Sequence, residues 1–116
     1  MDKDIALQFA EHWIEAWNSH DLDRIMSHYA DDFAMSSPII RLLTSESSGV
    51  IKGKELVREY WAKALAKTPD MKFELVGVYT GVNSLLIHYR GHRGLSAEIF
   101  HFDGDGMVIR AFAHYE

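Results

Sequence analysis

The side chains best placed to do chemistry in this chain are one glutamate, Glu98, and three histidines, His88, His101 and His114. They fall in stretches of alternating character, the pattern of β-strands. Gly91-His92-Arg93-Gly94 and Asp103-Gly104-Asp105-Gly106 have the composition of hairpin turns between such strands. With His92-Arg93 as a two-residue loop, Ile87 sits opposite Glu98. With Gly104-Asp105 as the next loop, Glu98 sits opposite Ala111. Side chains repeat every second residue, so each pairing keeps its residues on one face. One face then carries Leu85, Ile87, Tyr89, Glu98, Phe100, Phe102, Ile109, Ala111, Ala113 and Tyr115. The other carries Leu86, His88, Arg90, Ala97, Ile99, His101, Val108, Arg110, Phe112 and His114.

The first face is apolar and aromatic with one carboxylate in its middle, and is read as the concave one. Small Ala111 beside Glu98 leaves room for a ligand. Desolvation raises the pKa of a carboxyl on an apolar floor, so Glu98 is expected to hold its proton near neutrality. It then donates a hydrogen bond to a carbonyl or phenolate oxygen, or acts as a general acid. The other reading of Glu98 is a structural pair with a rim arginine or lysine, or a bulge that turns it outward.

The histidines invite a metal, but the expected register separates them. His88 lies opposite Ala97, and His101 stands four residues further on, roughly 13 Å away at ~3.3 Å per residue. His114 falls opposite Leu95. They are assigned to the convex face, and no metal site is expected. His12, His20 and His28 are read as surface residues of the first helices. Asp103-Gly-Asp-Gly lacks the ligand count of a calcium loop. There is no cysteine, no Gly-x-Ser-x-Gly elbow and no phosphate loop. The Ser36-Ser37 pair has no inward histidine to activate it. No cofactor is expected.

These residues need elements to hold them. Ile5, Phe9, Trp13, Ala16 and Trp17 recur at helical spacing over Lys3 to Asn18. Asp21 caps a second helix, Leu22 to Tyr29, whose stripe is Leu22, Ile25, Met26 and Tyr29. An edge strand follows, with Phe33, Met35 and Ser37 on one face, and Pro38 ends it. The stretch IIRLLTSESSGVIKG is a rim excursion, with Ile39 to Val50 as a lid or a fixed loop. A third helix, Lys54 to Lys67, carries Leu56, Val57, Tyr60, Trp61, Ala64 and Leu65 inward and stops at Thr68-Pro69. Strands are expected at about Lys72–Thr80, then Leu85–Arg90, Leu95–Asp103 and Met107–Tyr115. Helices mostly first and strands mostly last predict an α+β fold: a cone-shaped, mixed or antiparallel sheet whose hollow three helices close. Trp13, Trp17, Met35, Ser37, Trp61, Ile87, Tyr89, Phe100, Ala111 and Tyr115 are the expected pocket lining.

The 116 residues fit one domain, and the apolar fraction of 47% supports a real core. A net charge of −5 and the lack of any Lys/Arg run argue against nucleic acid and anionic membrane as partners. No apolar run approaches the ~20 residues of a membrane span. The start MDKDIALQF is acidic and amphipathic, unlike a signal peptide. A soluble, cytoplasmic protein is expected.

The segments NSHDLDRIMSHYADDFAMSSP, IKGKELVREYWAKAL and AEIFHFDGDGMVIRAFAHY resemble the SnoaL-like branch of the nuclear-transport-factor-2-like superfamily, over nearly the whole chain. The resemblance implies a single SnoaL-like domain, residues 1–116, that dimerises through the convex face of its sheet. The ketosteroid isomerases are the relatives with a well-understood site. Against their pattern, Glu98 stands at the protonated acid of the oxyanion hole and Tyr29 at a supporting tyrosine. Ser37 takes the place of the catalytic aspartate, Trp13 that of the main phenol donor, and Trp61 that of another tyrosine. Steroid-type isomerisation therefore does not carry over. The superfamily also holds cyclases and non-catalytic binders. Three functions remain open: a cofactor-free cyclase, isomerase or lyase in which Glu98 and Tyr29 act on an apolar or aromatic small molecule; a binding module for such a molecule; or a homodimeric assembly domain. For that last reading, Leu86, Ile99, Val108 and Phe112 form the apolar part of the interface.

Overall fold

Helix α1 (Lys3–Ser19) begins where the Asp2 carboxylate accepts hydrogen bonds from the backbone N–H groups of Asp4 and Ile5, at 2.8 and 3.1 Å. Capping of this kind satisfies donors that the first turn leaves open. The computed structural model describes all of residues 1–116. α1 ends at His20, in the left-handed conformation. Its buried face is Ala6, Ala10, Trp13, Ala16 and Trp17, while Ile5 points to solvent, 60% exposed, against expectation. The small alanines let the helix lie close to the sheet, and the tryptophans fill the space beyond.

Helix α2 is only Leu22–Met26, capped by Asp21. Its expected last turn is strand instead: β1 runs Tyr29–Ser36, and Tyr29 pairs with Val108. The aromatic ring is fully buried there, a gain a surface helix could not match. β1 is not an edge strand. The edge is β2 (Val50–Lys52), three residues too short to show in the sequence pattern. Between them lies helix α3 (Pro38–Leu43), also unexpected, with Pro38 in its first turn and the Ser37 hydroxyl accepting from Ile39 N at 3.1 Å. α4 (Lys54–Lys67) follows Gly53, whose φ of 96° suits only glycine and whose N–H donates to Phe33 O at 2.8 Å. α4 buries Val57, Trp61 and Leu65; Leu56, expected inside, is 56% exposed.

β3 (Glu74–Gly81), β4 (Ser84–Gly91), β5 (Gly94–Phe102) and β6 (Val108–Tyr115) complete one six-stranded sheet, in the order β2-β1-β6-β5-β4-β3. All neighbours are antiparallel except β1 and β6. This is the expected α+β, mixed-sheet class, with four helices rather than three. No helix is long and apolar enough to cross a membrane.

The β4–β5 hairpin turns on His92-Arg93 and sets Ile87 opposite Glu98. The β5–β6 connection differs from expectation. Asp103 N donates to Met107 O at 2.8 Å, and the Asp103 carboxylate accepts from Asp105 N and Met107 N. This longer loop, with an irregularity after His101, moves the pairing so that Glu98 faces Ala113, not Ala111. The shift is two residues, so Glu98 keeps its face. Val108, expected outside, is buried, because the bulge reverses the alternation before β6 resumes it. His114 accordingly faces Ala97, not Leu95.

Candidate functional site

The inner face of the sheet and the helices above it enclose a cavity of about 270 Å³. Glu98 stands in its wall, flanked across the strands by Ile87 and Ala113, and is 4% exposed. Its carboxyl makes no ion pair and no hydrogen bond with the protein. Burial alone pushes its pKa up to about 8, because an unpaired charge in an apolar wall keeps little of its hydration. Neither structural alternative for Glu98, a basic partner or an outward bulge, occurs.

Three tyrosines surround this acid. The Tyr29 hydroxyl accepts a hydrogen bond from Trp13 Nε1 at 3.1 Å. Burial, and then the Glu98 charge, hold its pKa well above the ordinary phenol value. Tyr89 is raised for the same two reasons, most by burial. Tyr115 is pushed up to about 12, by burial and by Glu98, against a lowering contribution from the Ser37 hydroxyl. All three are therefore neutral hydrogen-bonding groups near neutral pH.

Of the expected lining, Trp13, Trp17, Met35, Ser37, Trp61, Tyr89 and Tyr115 border the cavity together with Glu98. Ile87, Phe100 and Ala111 do not. They are fully buried in the sheet's packing, below the wall. Tyr29 is also behind the wall, fully buried against Phe33 and Trp61, so it meets the cavity only through its hydrogen bond with Trp13. Reading inward direction from alternation identifies the face but not the depth, and these four lie where helices pack directly on the sheet.

The sequence reading missed several wall residues. Phe73 stacks on Trp13 with ring centroids 5.4 Å apart, and Met71 precedes it. The segment is held by Asn18, whose amide donates to Phe73 O at 2.9 Å and accepts from Phe73 N at 2.7 Å. The His20 ring adds a contact to Met71 O at 2.8 Å. Alternate apolar Met71, Phe73 and Leu75 were the available signal. Ile39 and Leu43 come from unexpected α3; Tyr60, Ala64, Lys67 and Thr68 from α4 and its end; Gly91, His92, Arg93 and Ser96 from the β4–β5 hairpin. Trp17 Nε1 is buried and has no hydrogen-bond partner.

A larger depression of about 700 Å³ lies between the rim segment and α4 and shares Leu43, Tyr60, Ala64 and Lys67 with the cavity. Of its carboxylates, Glu46 and Glu59 are both exposed. It lacks a buried acid, so the smaller cavity is the candidate site. His88 and His114 flank Ala97 from opposite sides, two strand spacings apart, and His101 lies between Ser84 and Arg110. No group of three metal-ligating side chains forms. His12 is exposed, but His20 is half-buried, and so is His28, against the Phe9 ring.

Comparison with known proteins finds a match to the SnoaL-like domain over residues 10–116. A SnoaL-like protein of unknown function from Burkholderia thailandensis E264 is 51% identical, covering 99% of this chain and 97% of its own, with a TM-score of 0.96. A protein with a ketosteroid-isomerase-like fold from Catenulispora acidiphila DSM 44928, solved with trimethylamine, is 15% identical over 94% and 85% of the two chains, with a TM-score of 0.73. A cystatin-like-fold protein from Methylobium petroleophilum PM1 is 12% identical over 99% and 78%, with a TM-score of 0.76. The last two share the fold. Among curated proteins there is no match.

Proposed function

The chain belongs to the SnoaL-like domain family, and from that premise we propose that its cavity takes up a small apolar or aromatic molecule on which Glu98 handles a proton. One observation carries this reading. A single carboxyl, buried and unpaired, faces an aromatic-walled cavity of about 270 Å³. An empty apolar cavity of about 150 Å³ admits benzene, so this one has room for a substituted ring or a fused pair. Trp13, Trp17, Trp61, Phe73 and Tyr89 supply ring faces and edges for stacking.

An acid titrating at about 8 exists in both forms around neutrality, the condition under which proton transfer in both directions is efficient. The ionised carboxylate takes a proton from a carbon next to a carbonyl. The neutral acid then returns it to another carbon, or to an oxygen, of the same molecule. Protons balance, and the product is a shifted double bond or a closed ring. This is the chemistry of a cofactor-free isomerase or cyclase.

Non-catalytic binding is the second reading. Glu98 is the only carboxylate in the wall, and the Ser37 hydroxyl, which accepts from Ile39 N, cannot serve as a base near neutral pH. Glu98→Gln separates the two, since it keeps the size and a hydrogen-bond donor but cannot titrate. Turnover is expected to fall by about 100-fold or more, with ligand affinity little changed. Undiminished turnover in the variant would sink the catalytic role. Reversible binding by the parent protein, with no conversion of any bound ring ketone, would select the binder.

We further infer that the opposite face of the sheet pairs with a second copy of the chain. In register, Tyr79, Leu86, Ile99 and Phe112 form an unbroken apolar row across β3, β4, β5 and β6. No helix covers them. Tyr79 is 60% exposed, and His88, His101, His114 and Arg110 border the row. An isologous contact, row on row, fits this arrangement.

A further inference from the structure

Charge is unevenly distributed around the cavity. Glu98 is the one acid of its wall, and the basic residues there are Lys67, His92 and Arg93. The chain as a whole has 17 acidic side chains against 12 lysines and arginines, so a lining whose only acid is the buried Glu98 runs against its composition. Lys67 ends α4, where a lysine is favoured by the helix dipole alone. Arg93 has no such explanation. It sits at the tip of the β4–β5 turn, yet its charge reaches the hydroxyls of Tyr60 and Tyr115 and draws both pKa values down against burial. The two ion pairs of the molecule are Arg24 with Glu15 and Arg58 with Asp23. Neither rim cation is in one. The Glu116 carboxylate lies beside Gly94 and leaves Arg93 unpaired.

The Tyr115 hydroxyl feels the charges of both Glu98 and Arg93, and all three residues line the cavity. Most of the remaining lining is apolar, with Trp13, Trp17, Trp61, Phe73 and Tyr89 as its rings. We propose that the ligand is an amphiphilic acid: a ring held between the aromatic walls, a carbonyl or phenolic oxygen at Glu98, and a carboxylate or similar anion at the rim by Arg93 and Lys67. This inference rests on the cavity being the binding site. The placement follows from solvation. An anion buried beside Glu98 would lose its hydration without a partner. At the rim it keeps water and gains two cations.

Calorimetric titration with three matched compounds tests this. They are para-acetylphenylacetate, its methyl ester, and para-acetylbenzyl trimethylammonium. The acid is expected to bind about fivefold more tightly than the ester at low salt, an advantage typical of exposed ion pairs, and the gap should shrink as salt is added. Arg93→Gln should remove most of the acid's advantage over the ester. Equal or tighter binding of the ester overturns the anion's place at the rim but leaves the cavity reading standing. Tighter binding of the ammonium compound does the same, and points to an organic cation held by the aromatic rings. If none of the three binds, the cavity reading fails and takes this inference with it.

Discussion

At the scale of one residue, Glu98 ties the stability of the fold to pH. Its pKa is about 8 in the folded chain and near the ordinary value, about 4.3, when unfolded. Between those values the folded state holds one more proton than the unfolded state. Stability therefore falls as pH rises from about 4.3 to about 8, and the loss is complete above that range. Thermal melts of wild type and Glu98→Gln across pH 5 to 9 check this: the variant should lack this component and be the more stable protein at the alkaline end. A parallel pH dependence in both would mean that Glu98 does not titrate as described. The position of Glu98 was readable in the sequence because alternation and one two-residue turn suffice to fix its face. Its neighbour Ile87 on β4 was readable too, but its neighbour on β6 was not. Whether Ala111 or Ala113 lies opposite depends on how Asp103 folds the following loop, and DGDG is compatible with several turns.

At the scale of elements, long periodic segments were legible and short ones were not. α1 and α4 are set by repeated apolar positions and clear stop signals. α3 and β2 have too few residues for a period to emerge, and they depend on the Ser37 cap and on pairing with β1. The same limit hid part of the site, since Ile39 and Leu43 ride on α3. The segment before β3 was hidden for another reason. It has no regular structure, and its place is set by a side chain distant in sequence, Asn18, through two hydrogen bonds to Phe73. Asn18→Ala should therefore destabilise the fold by about 1–3 kcal/mol, measured by denaturant unfolding, and should loosen Phe73 from Trp13. A loss below a few tenths of a kcal/mol would show that the aromatic stack alone holds the segment.

At the scale of the whole molecule, the helices protect one face of the sheet and leave the other bare. The bare face carries the row from Tyr79 to Phe112. Phe112→Asp places a charge at the β6 end of the inferred contact, on the side away from the cavity. Sedimentation should show a dimer for the parent protein and a monomer for the variant. A monomeric parent would remove the assembly role from this face. Alternation placed Leu86, Ile99 and Phe112 on this face, but Val108, expected beside them, is buried by the bulge before β6, and the row gains Tyr79 instead.

The cavity wall holds every tryptophan of the chain: Trp13, Trp17 and Trp61. All three are nearly excluded from water, and Trp17 meets Trp61 edge to face with centroids 5.1 Å apart. No indole elsewhere contributes background. The intrinsic ultraviolet emission of this protein is thus a local optical signal from a single chamber, blue-shifted because its indoles are kept from water. An occupant that quenches or absorbs that light announces itself without any attached dye.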